Sequence, residues 1–255
     1  MFPMPSYQHL LYQVDGGVAR ITLNRPEKRN ALSAELVGEL KDAIANTQDH
    51  LILLSGAGAD FCSGADLSGL QSMFEAGVLD HLVSARAMAD LFVMMRRHPR
   101  PIVAAVRGRA LAGGCGLATV CDIVLAAESA QFGYPEVNIG FVPAMVMAIL
   151  RRSVPEKRAF ELIVGGETIS AQRALEAGMI NRVYSDDQFE AEVAAYVSKL
   201  AGKSASAVQL SKHLLYQMDS MSFETALEAG VNTNAIARMT DDYRRGIEKF
   251  LKKLN

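Results

Sequence analysis

The stretch PIVAAVRGRALAGGCGLATVCDIVLAAESAQFGYPE, residues 101–136, decides the fold. Its two apolar runs, PIVAAV and DIVLAA, are short and continuous, which is typical of strands buried on both faces. Between them, the run GGCG at 113–116 opens a short apolar helical pattern. Strands that alternate with helices in this way predict an α/β fold with largely parallel pairing.

The chain before this stretch continues the same pattern. Two runs that alternate apolar and polar residues flank Gly16-Gly17, a pair suited to the positive φ angles of a tight hairpin turn. Ser33 is predicted to cap a following helix, and HLILLSG is typical of another buried strand. A long helical pattern then runs from about Leu67 to Arg97.

The pattern changes near Ser185, because only helical patterns follow it. We therefore predict two regions, an α/β core over residues 1–185 and a helical region over residues 186–255. The helical patterns carry apolar stripes, which favours their use in assembly of an oligomer.

Composition excludes several classes of protein. The 26 basic and 28 acidic side chains give a net charge of -2, so no excess of positive charge is present to attract a nucleic acid. The longest apolar run, residues 142–150, is too short to span a membrane. Because the N-terminal residues also lack the pattern of a secretory signal, we predict a cytoplasmic protein.

The three cysteines, Cys62, Cys115 and Cys121, are too few for a disulfide framework. No CxxC pair occurs, and no histidine lies at ligand spacing from them. We therefore predict buried reduced thiols and no metal site.

Two glycine-rich segments follow buried strands, and each has more than one interpretation. Gly56 and Gly58 match the start of a dinucleotide-binding fingerprint, but Phe61 replaces its third glycine, so an oxidoreductase is an alternative that rests on two residues. In structural terms, both segments are strand-to-helix connections with close packing. In functional terms, the small residues around Gly64 and Gly113 would let a ligand approach backbone N–H groups. Two such donors can converge on one carbonyl oxygen and stabilise negative charge on it.

Four blocks, in this order, resemble the crotonase family, which contains enoyl-CoA hydratases and isomerases. They are LNRPEKRNALS (23–33), FCSGADL (61–67), the 107–136 block above and ISAQRALEAGMINRVY (169–184). The resemblance implies a spiral of ββα units forming a catalytic core, followed by a C-terminal helical trimerisation region. It also implies a homotrimer or dimer of trimers acting on an acyl-CoA, with no cofactor besides the coenzyme A of the substrate.

The resemblance implies roles for particular residues. The N–H groups of Ala65 and Gly113 would form an oxyanion hole for the thioester carbonyl. The coenzyme A would contact the backbone of residues 65–68 and side chains from the 25–29 loop and the last helix; the full set of substrate-binding candidates is Ala65, Asp66, Leu67, Ser68, Gly113, Arg25, Lys28, Phe250 and Lys253. Solvated basic residues for the loop, and packing for the last helix, are the alternative interpretations.

The acid–base residues carry most information about the reaction. Glu136 matches the second of two glutamates that hold a water in well-known hydratases of the family, but Gly116 stands where the first would be. One glutamate suffices to move a proton between two carbons, so the sequence favours double-bond isomerisation. Hydration of a 2-enoyl-CoA and a non-catalytic acyl-CoA-binding protein are the alternatives. The family's glycine-rich run after this glutamate is also absent, since VPAMVMAIL (142–150) takes its place.

Overall fold

The computed structural model describes residues 6–66, 69, 71 and 73–252. Its strands are β1 Leu10–Asp15, β2 Val18–Leu23, β3 Leu51–Gly56, β4 Ile102–Val106, β5 Arg109–Leu111, β6 Ile123–Ala127, β7 Gln131–Gly133, β8 Thr168–Ser170 and β9 Arg182–Tyr184. Its α-helices are α1 Ala34–Asn46, α2 Val78–Arg97, α3 Gly113–Thr119, α4 Ala144–Ser153, α5 Glu156–Gly165, α6 Ala171–Glu176, α7 Phe189–Ala201, α8 Ala205–Gln217, α9 Phe223–Arg238 and α10 Asp241–Leu251. Short 3₁₀ turns lie at Pro26–Lys28, Pro135–Ile139 and Met218–Ser220.

The main sheet has six strands in the order β1-β2-β3-β4-β6-β9. β1 pairs antiparallel with β2, and the four later pairs are parallel. Gly16 and Gly17 have φ angles of 58° and 78°, which makes the tight turn of the predicted hairpin. The predicted α/β fold with largely parallel pairing is therefore confirmed.

The helix boundaries match the sequence patterns in one case and differ in another. Ser33 caps α1 as predicted, since its Oγ accepts the Leu36 N–H at 3.3 Å. The long helix expected from about Leu67 is interrupted: Gly69 and Gln71 are helical, residues 73–77 are not, and α2 begins at Val78. Gly77 precedes it, and the Gly77 N–H donates to Asp80 Oδ2 at 3.1 Å, which fixes this start.

The chain between β3 and Glu136 is a spiral of strand pairs. β4 lies in the main sheet and the next strand, β5, lies in a second sheet of order β5-β7-β8. β6 and β7 repeat this step. The segment after β3 also enters the second layer, where a single bridge pairs Cys62 parallel with Ala110 of β5. Each turn of the spiral therefore sends one extended segment into the second layer.

The two faces of the main sheet are covered differently. A large apolar cluster, with Ile21, Leu54 and Phe132 among its buried members, joins one face of the main sheet to the second sheet. The opposite face is covered by α7 through a smaller cluster that includes Phe189 and Val193. The helical region that begins after residue 185 is thus in contact with the sheet from its first helix.

A buried ionic network holds α8 to the core. The Lys212 ammonium donates to Asp122 Oδ2 at 2.7 Å and to the carbonyls of Met95 and Arg100 at 3.1 and 3.0 Å. The Tyr216 hydroxyl donates to the other Asp122 oxygen at 2.6 Å. Burial lowers the pKa of Lys212, and the Asp122 carboxylate opposes that effect.

The helices α3 and α4 pack so closely that residue 116 has no room for a side chain. A Cβ placed on Gly116 would lie 2.3 Å from Val146 Cγ1 and 3.2 Å from Phe92 Cζ. All three residues are buried. Gly116 is therefore required by the packing of α4 on α3.

Within the described residues, no helix is long and apolar enough to cross a membrane.

We predict that Lys212→Met lowers the free energy of unfolding by about 3–5 kcal/mol, because it leaves the buried Asp122 carboxylate without its cation. Chemical denaturation measures this change. The control is Lys203→Met, an exposed lysine of the α7–α8 connection, which we expect to change stability by less than about 0.5 kcal/mol. Equal effects of the two substitutions would contradict the buried pairing.

We predict that Gly116→Ala destabilises the protein by about 1–3 kcal/mol through overlap with Val146. Adding Val146→Ala should recover part of this loss, so that the double variant is more stable than the sum of the single changes implies. The control is Gly38→Ala, since a Cβ at Gly38 of α1 meets no atom within 4 Å. That control should be stabilising by up to about 1 kcal/mol. Additive effects at 116 and 146 in thermal unfolding would exclude the contact.

Candidate active site

Three groups predicted to do the chemistry follow three parallel extended segments. Ala65 follows the bridge at Cys62, Gly113 follows β5, and Glu136 follows β7. Cys62 pairs parallel with β5, and β5 pairs parallel with β7. The carboxyl ends of neighbouring parallel segments lie at the same edge, so all three groups lie at one edge of the second layer.

The backbone around Ala65 points its N–H away from the neighbouring chain. Leu32 pairs parallel with Ala65, with the Leu32 N–H donating to Gly64 O at 2.8 Å and the Asp66 N–H donating to Leu32 O at 3.1 Å. The bonds of the ladder are thus made by the residues on either side of Ala65. In the described part of the chain no acceptor is found for the Ala65 N–H, and this residue is exposed. It is therefore available to an external acceptor.

Gly113 presents a second N–H beside the first segment. It is the first residue of α3, and no acceptor for its N–H occurs among the described residues. A Cβ placed on Gly64 would lie only 3.5 Å from the Gly113 nitrogen and 2.8 Å from the Ala112 Cβ. The φ angle of Gly64 is 97°, a conformation that glycine adopts readily. The lack of a side chain at 64 lets the two donor segments come together.

Glu136 supplies a carboxylate whose environment suits proton transfer. It lies in the Pro135–Ile139 turn, is 8% exposed, and its Oε2 is buried with no hydrogen-bond partner in the described structure. Burial raises the pKa of this carboxyl above its ordinary value. A raised pKa makes a carboxylate a stronger base, which suits a group that has to accept a proton and return it.

The residues beneath the site are structural. Tyr134 is fully buried, and its hydroxyl lies 3.4 Å from Thr119 Oγ1. Cys62 and Cys115 are free, buried thiols, and burial raises the pKa of each to about 12. These thiols stay protonated at neutral pH and are unreactive. The prediction of buried reduced cysteines is confirmed.

Two of the coenzyme A candidates are bound to each other. The Arg25 guanidinium donates to Asp66 Oδ2 at 2.9 Å and to the Ala31 carbonyl at 2.6 Å. Lys28 lies in the same loop and is exposed. Sequence reasoning did not single out Asn30, which is buried at a φ of 54° and whose side chain bonds Arg25 N–H, Ala57 O and Asp60 O. An asparagine in a loop is a recognised signal for positive φ.

The remaining candidates are an exposed residue of the last helix and three residues outside the described ranges. Phe250 is on α10 and is 61% exposed. Leu67, Ser68 and Lys253 lie outside the described residues. The two acceptor-free N–H groups and Glu136 are the candidates that the topology brings together.

Two other parts of the molecule do not offer comparable chemistry. Gly56 and Gly58, the basis of the dinucleotide alternative, are places of close packing, where a Cβ would lie 2.5 Å from Asp60 O and 2.9 Å from Pro26 Cβ. A cavity of about 510 Å³ lies where α8 meets the main sheet. Of the charged residues at its wall, Lys212 and Asp122 are bonded to each other, and Lys203 is exposed.

The chain resembles proteins whose fold and family are known. Residues 13–255 match the family described as enoyl-CoA hydratase/isomerase. A Thermus thermophilus protein, provisionally named an enoyl-CoA hydratase, is 37% identical over 248 residues, which cover 95% of this chain and 98% of the relative. The 2,3-dehydroadipyl-CoA hydratase of Escherichia coli is 34% identical over 241 residues, with 92% of each chain covered. The crystal structure of a Mycobacterium smegmatis enoyl-CoA hydratase superposes with a TM-score of 0.91 at 32% identity and 96% coverage of both chains.

The architecture agrees with these matches. The spiral of strand pairs, the two sheets and the helices after residue 185 are the features that the sequence resemblance implies, and the predicted fold is confirmed. The chain belongs to the enoyl-CoA hydratase/isomerase family of enzymes and has the crotonase fold.

Proposed function

We propose that this enzyme adds water to the double bond of a 2-enoyl-CoA. The observation that carries the proposal is the buried Oε2 of Glu136 at the edge where the Ala65 and Gly113 N–H groups lie, since none of the three has a hydrogen-bond partner among the described residues. The N–H groups of Ala65 and Gly113 hold the thioester oxygen, and Glu136 moves the proton. The hydratase name of the Escherichia coli relative supports addition of water over isomerisation.

The proposed reaction balances with one carboxylate. Glu136, ionised, accepts a proton from water as the water oxygen bonds to C3 of the substrate. The electron pair of the double bond moves toward the thioester, and the oxygen of the resulting enolate is stabilised by the two N–H groups. Protonated Glu136 then donates its proton to C2, which gives the 3-hydroxyacyl-CoA and restores the carboxylate. No cofactor is needed besides the coenzyme A of the substrate.

Double-bond isomerisation, which the sequence favoured, is the second candidate. The contact of Gly116 with Val146 supports it, because this contact leaves no room for a second carboxylate at residue 116. In this reaction Glu136 removes a proton from C2 of a 3-enoyl-CoA and returns it at C4. Each reaction passes through an enolate of the thioester, a dienolate in isomerisation and a 3-hydroxyacyl enolate in hydration, so the same N–H groups can act in both.

For the coenzyme A portion of the substrate we keep the sequence candidates as proposals. Lys28 is exposed in the loop that bonds to the Ala65 segment, and a cation there suits a phosphate. The backbone of residues 65–68 would line the channel. Phe250 and Lys253 would come from an adjacent subunit.

We also propose a homotrimer or a dimer of trimers, located in the cytoplasm. Phe223, Leu227 and Val231 recur every four residues on α9 and are all exposed, so they form an apolar stripe, and Ile236 extends the exposed apolar surface. Exposed stripes of this kind are typical of subunit interfaces. The three free cysteines support a reducing compartment.

We predict that Glu136→Gln lowers kcat by about 10²- to 10⁴-fold while acyl-CoA still binds, since an amide cannot carry the proton. Turnover is followed as loss of the ultraviolet absorbance of the conjugated 2-enoyl thioester. A 3-enoyl-CoA is assayed in parallel by the gain of the same absorbance. If the wild type converts only the 3-enoyl-CoA, isomerisation replaces hydration as the function, and full activity of the variant contradicts the role of Glu136.

The pH dependence has a defined sign. Because the pKa of Glu136 is raised, kcat/KM should fall on the acid side at a pH above the ordinary carboxyl range. The Glu136 carboxyl has a higher pKa in the folded protein than in the unfolded chain, so it stabilises the fold at a pH below the unfolded-state pKa. This stabilisation is lost as the pH rises through the folded-state pKa. Glu136→Gln should therefore raise the melting temperature at neutral pH, and this gain should shrink in acid. The control is Glu128→Gln, an exposed carboxylate, which should leave the melting temperature unchanged.

We predict that Val231→Asp shifts the protein from a trimer or hexamer toward the monomer in light scattering coupled to size exclusion. A charge within the apolar stripe of α9 opposes burial of that stripe. Asn232→Asp places the same charge on another face of the helix and should leave the mass unchanged. A monomeric wild-type protein at micromolar concentration would contradict the proposed assembly.

A further inference from the structure

We propose that Arg25 is a positioning residue that holds the Ala65 N–H in the oxyanion hole, and that its primary role is not to bind a coenzyme A phosphate. This inference rests on the proposed function only in taking Ala65 as a donor to the thioester oxygen. The sequence offered Arg25 as a phosphate ligand because it is basic and lies in the 25–29 loop. The contacts of its side chain assign it differently.

The guanidinium joins the two segments of the ladder at Ala65. One nitrogen donates to the carbonyl of Ala31 at 2.6 Å, and the other donates to Asp66 Oδ2 at 2.9 Å. Ala31 immediately precedes Leu32, which pairs with Ala65, and Asp66 immediately follows Ala65. Arg25 therefore links Ala31, the residue before Leu32, to Asp66, the residue after Ala65.

The bridge is held rigidly and is mostly excluded from water. The side chains of Arg25 and Asp66 are 14% and 11% exposed. The Arg25 N–H donates to Asn30 Oδ1 at 2.9 Å, and the Arg25 carbonyl accepts the N–H groups of Lys28 and Asn30, both at 2.9 Å. The Arg25 backbone and both terminal nitrogens of its guanidinium are hydrogen-bonded. The side chain therefore cannot turn toward a phosphate without breaking these bonds. A planar fork with two fixed acceptors also cannot be replaced by a lysine.

The ion pair has an electrostatic consequence for the reaction. Asp66 is adjacent to Ala65, whose N–H would face the developing enolate oxygen. Without the Arg25 cation, the negative charge of this carboxylate would oppose the charge that develops on the enolate oxygen. Arg25 neutralises Asp66, so the field at the thioester oxygen is set by the backbone donors. Loss of Arg25 would therefore both loosen the ladder and introduce an opposing charge.

The test uses acetoacetyl-CoA as a probe, because its enolate shares its negative charge between the thioester oxygen and the C3 ketone oxygen and has its own ultraviolet band. Wild-type protein should induce this band on binding. Arg25→Gln and Arg25→Lys should both reduce the band and lower kcat by about 10- to 100-fold. The dissociation constant of free coenzyme A, measured by calorimetry, should not change in either variant.

Comparison variants separate the two roles. Lys28→Gln, which removes a proposed coenzyme A contact, should raise the KM and weaken the binding of free coenzyme A. Lys157→Gln, an exposed change on α5 outside the site, should leave every quantity unchanged. If Arg25→Gln weakens free coenzyme A binding and Arg25→Lys keeps the kcat and the enolate band, Arg25 is a phosphate ligand and the proposal is overturned.

The double variant Arg25→Gln/Asp66→Asn keeps the proposal testable if a single variant is unstable. It removes the charge that Arg25 neutralises, so its fold-loss of kcat should be smaller than the product of the two single fold-losses. A strictly multiplicative loss would contradict the electrostatic part of the proposal. A wild-type protein that binds acetoacetyl-CoA without the enolate band would instead refute the oxyanion hole, and with it the proposed function. A band that is equal in wild type and Arg25 variants refutes the positioning role alone.

Discussion

The parallel alignment of three short extended segments is the constraint on which the rest of the structure depends. Each segment leaves the main sheet for the second layer, and each ends within three residues of a group that the proposed chemistry needs. Such close alignment is sterically demanding: a Cβ on Gly108 would lie 1.9 Å from Ala59 O, and one on Gly114 would lie 2.3 Å from Cys62 O. Glycine at these two positions is therefore a requirement of the packing, and the backbone N–H groups nearby are a consequence of it. The fold brings donors to one edge because the segments must pack this closely.

The sequence predicted the parts of this arrangement that depend on local pattern. Continuous apolar runs identified the buried strands, Gly16-Gly17 identified the hairpin, and Ser33 identified a helix start. The break before α2 was not predicted because the helical periodicity continues through Gly77, and the contact of the Gly77 N–H with Asp80 marks where α2 begins. The edge that unites Ala65, Gly113 and Glu136 was reached through family resemblance. Spacing along the chain alone does not show it, since the three residues are brought together by pairing between distant segments.

Side-chain partners were the part that sequence could not predict. Arg25 looked like a free cation because its acceptors, Ala31 O and Asp66, belong to two segments that meet only in the folded chain. The 26 basic and 28 acidic side chains nearly cancel, so cations for an anionic substrate have to be placed locally. The pairing of Arg25 with Asp66 leaves Lys28 and Arg29 as the exposed cations of the 25–29 loop. The proposed binding of coenzyme A would therefore also use backbone donors, whose positions the ladder at Ala65 controls.

The two departures from the family pattern, Gly116 and the VPAMVMAIL run, are physically one change. Val146 of that run occupies the space that a side chain at 116 would need, and Phe92 closes the other side. In an α-helix the Cβ leans toward the N-terminus, so a carboxylate at 116 would point back along α3 toward Gly113. The family's small residues after the glutamate block would leave room for such a side chain, whereas valine does not. A chain with Val146 cannot gain a carboxylate by substitution at 116 alone, so the packing of α4 on α3 limits the proposed site to Glu136 as its proton carrier. In either proposed reaction Glu136 acts as both base and acid, and its buried Oε2, which has no hydrogen-bond partner among the described residues, lies in an environment that suits both roles.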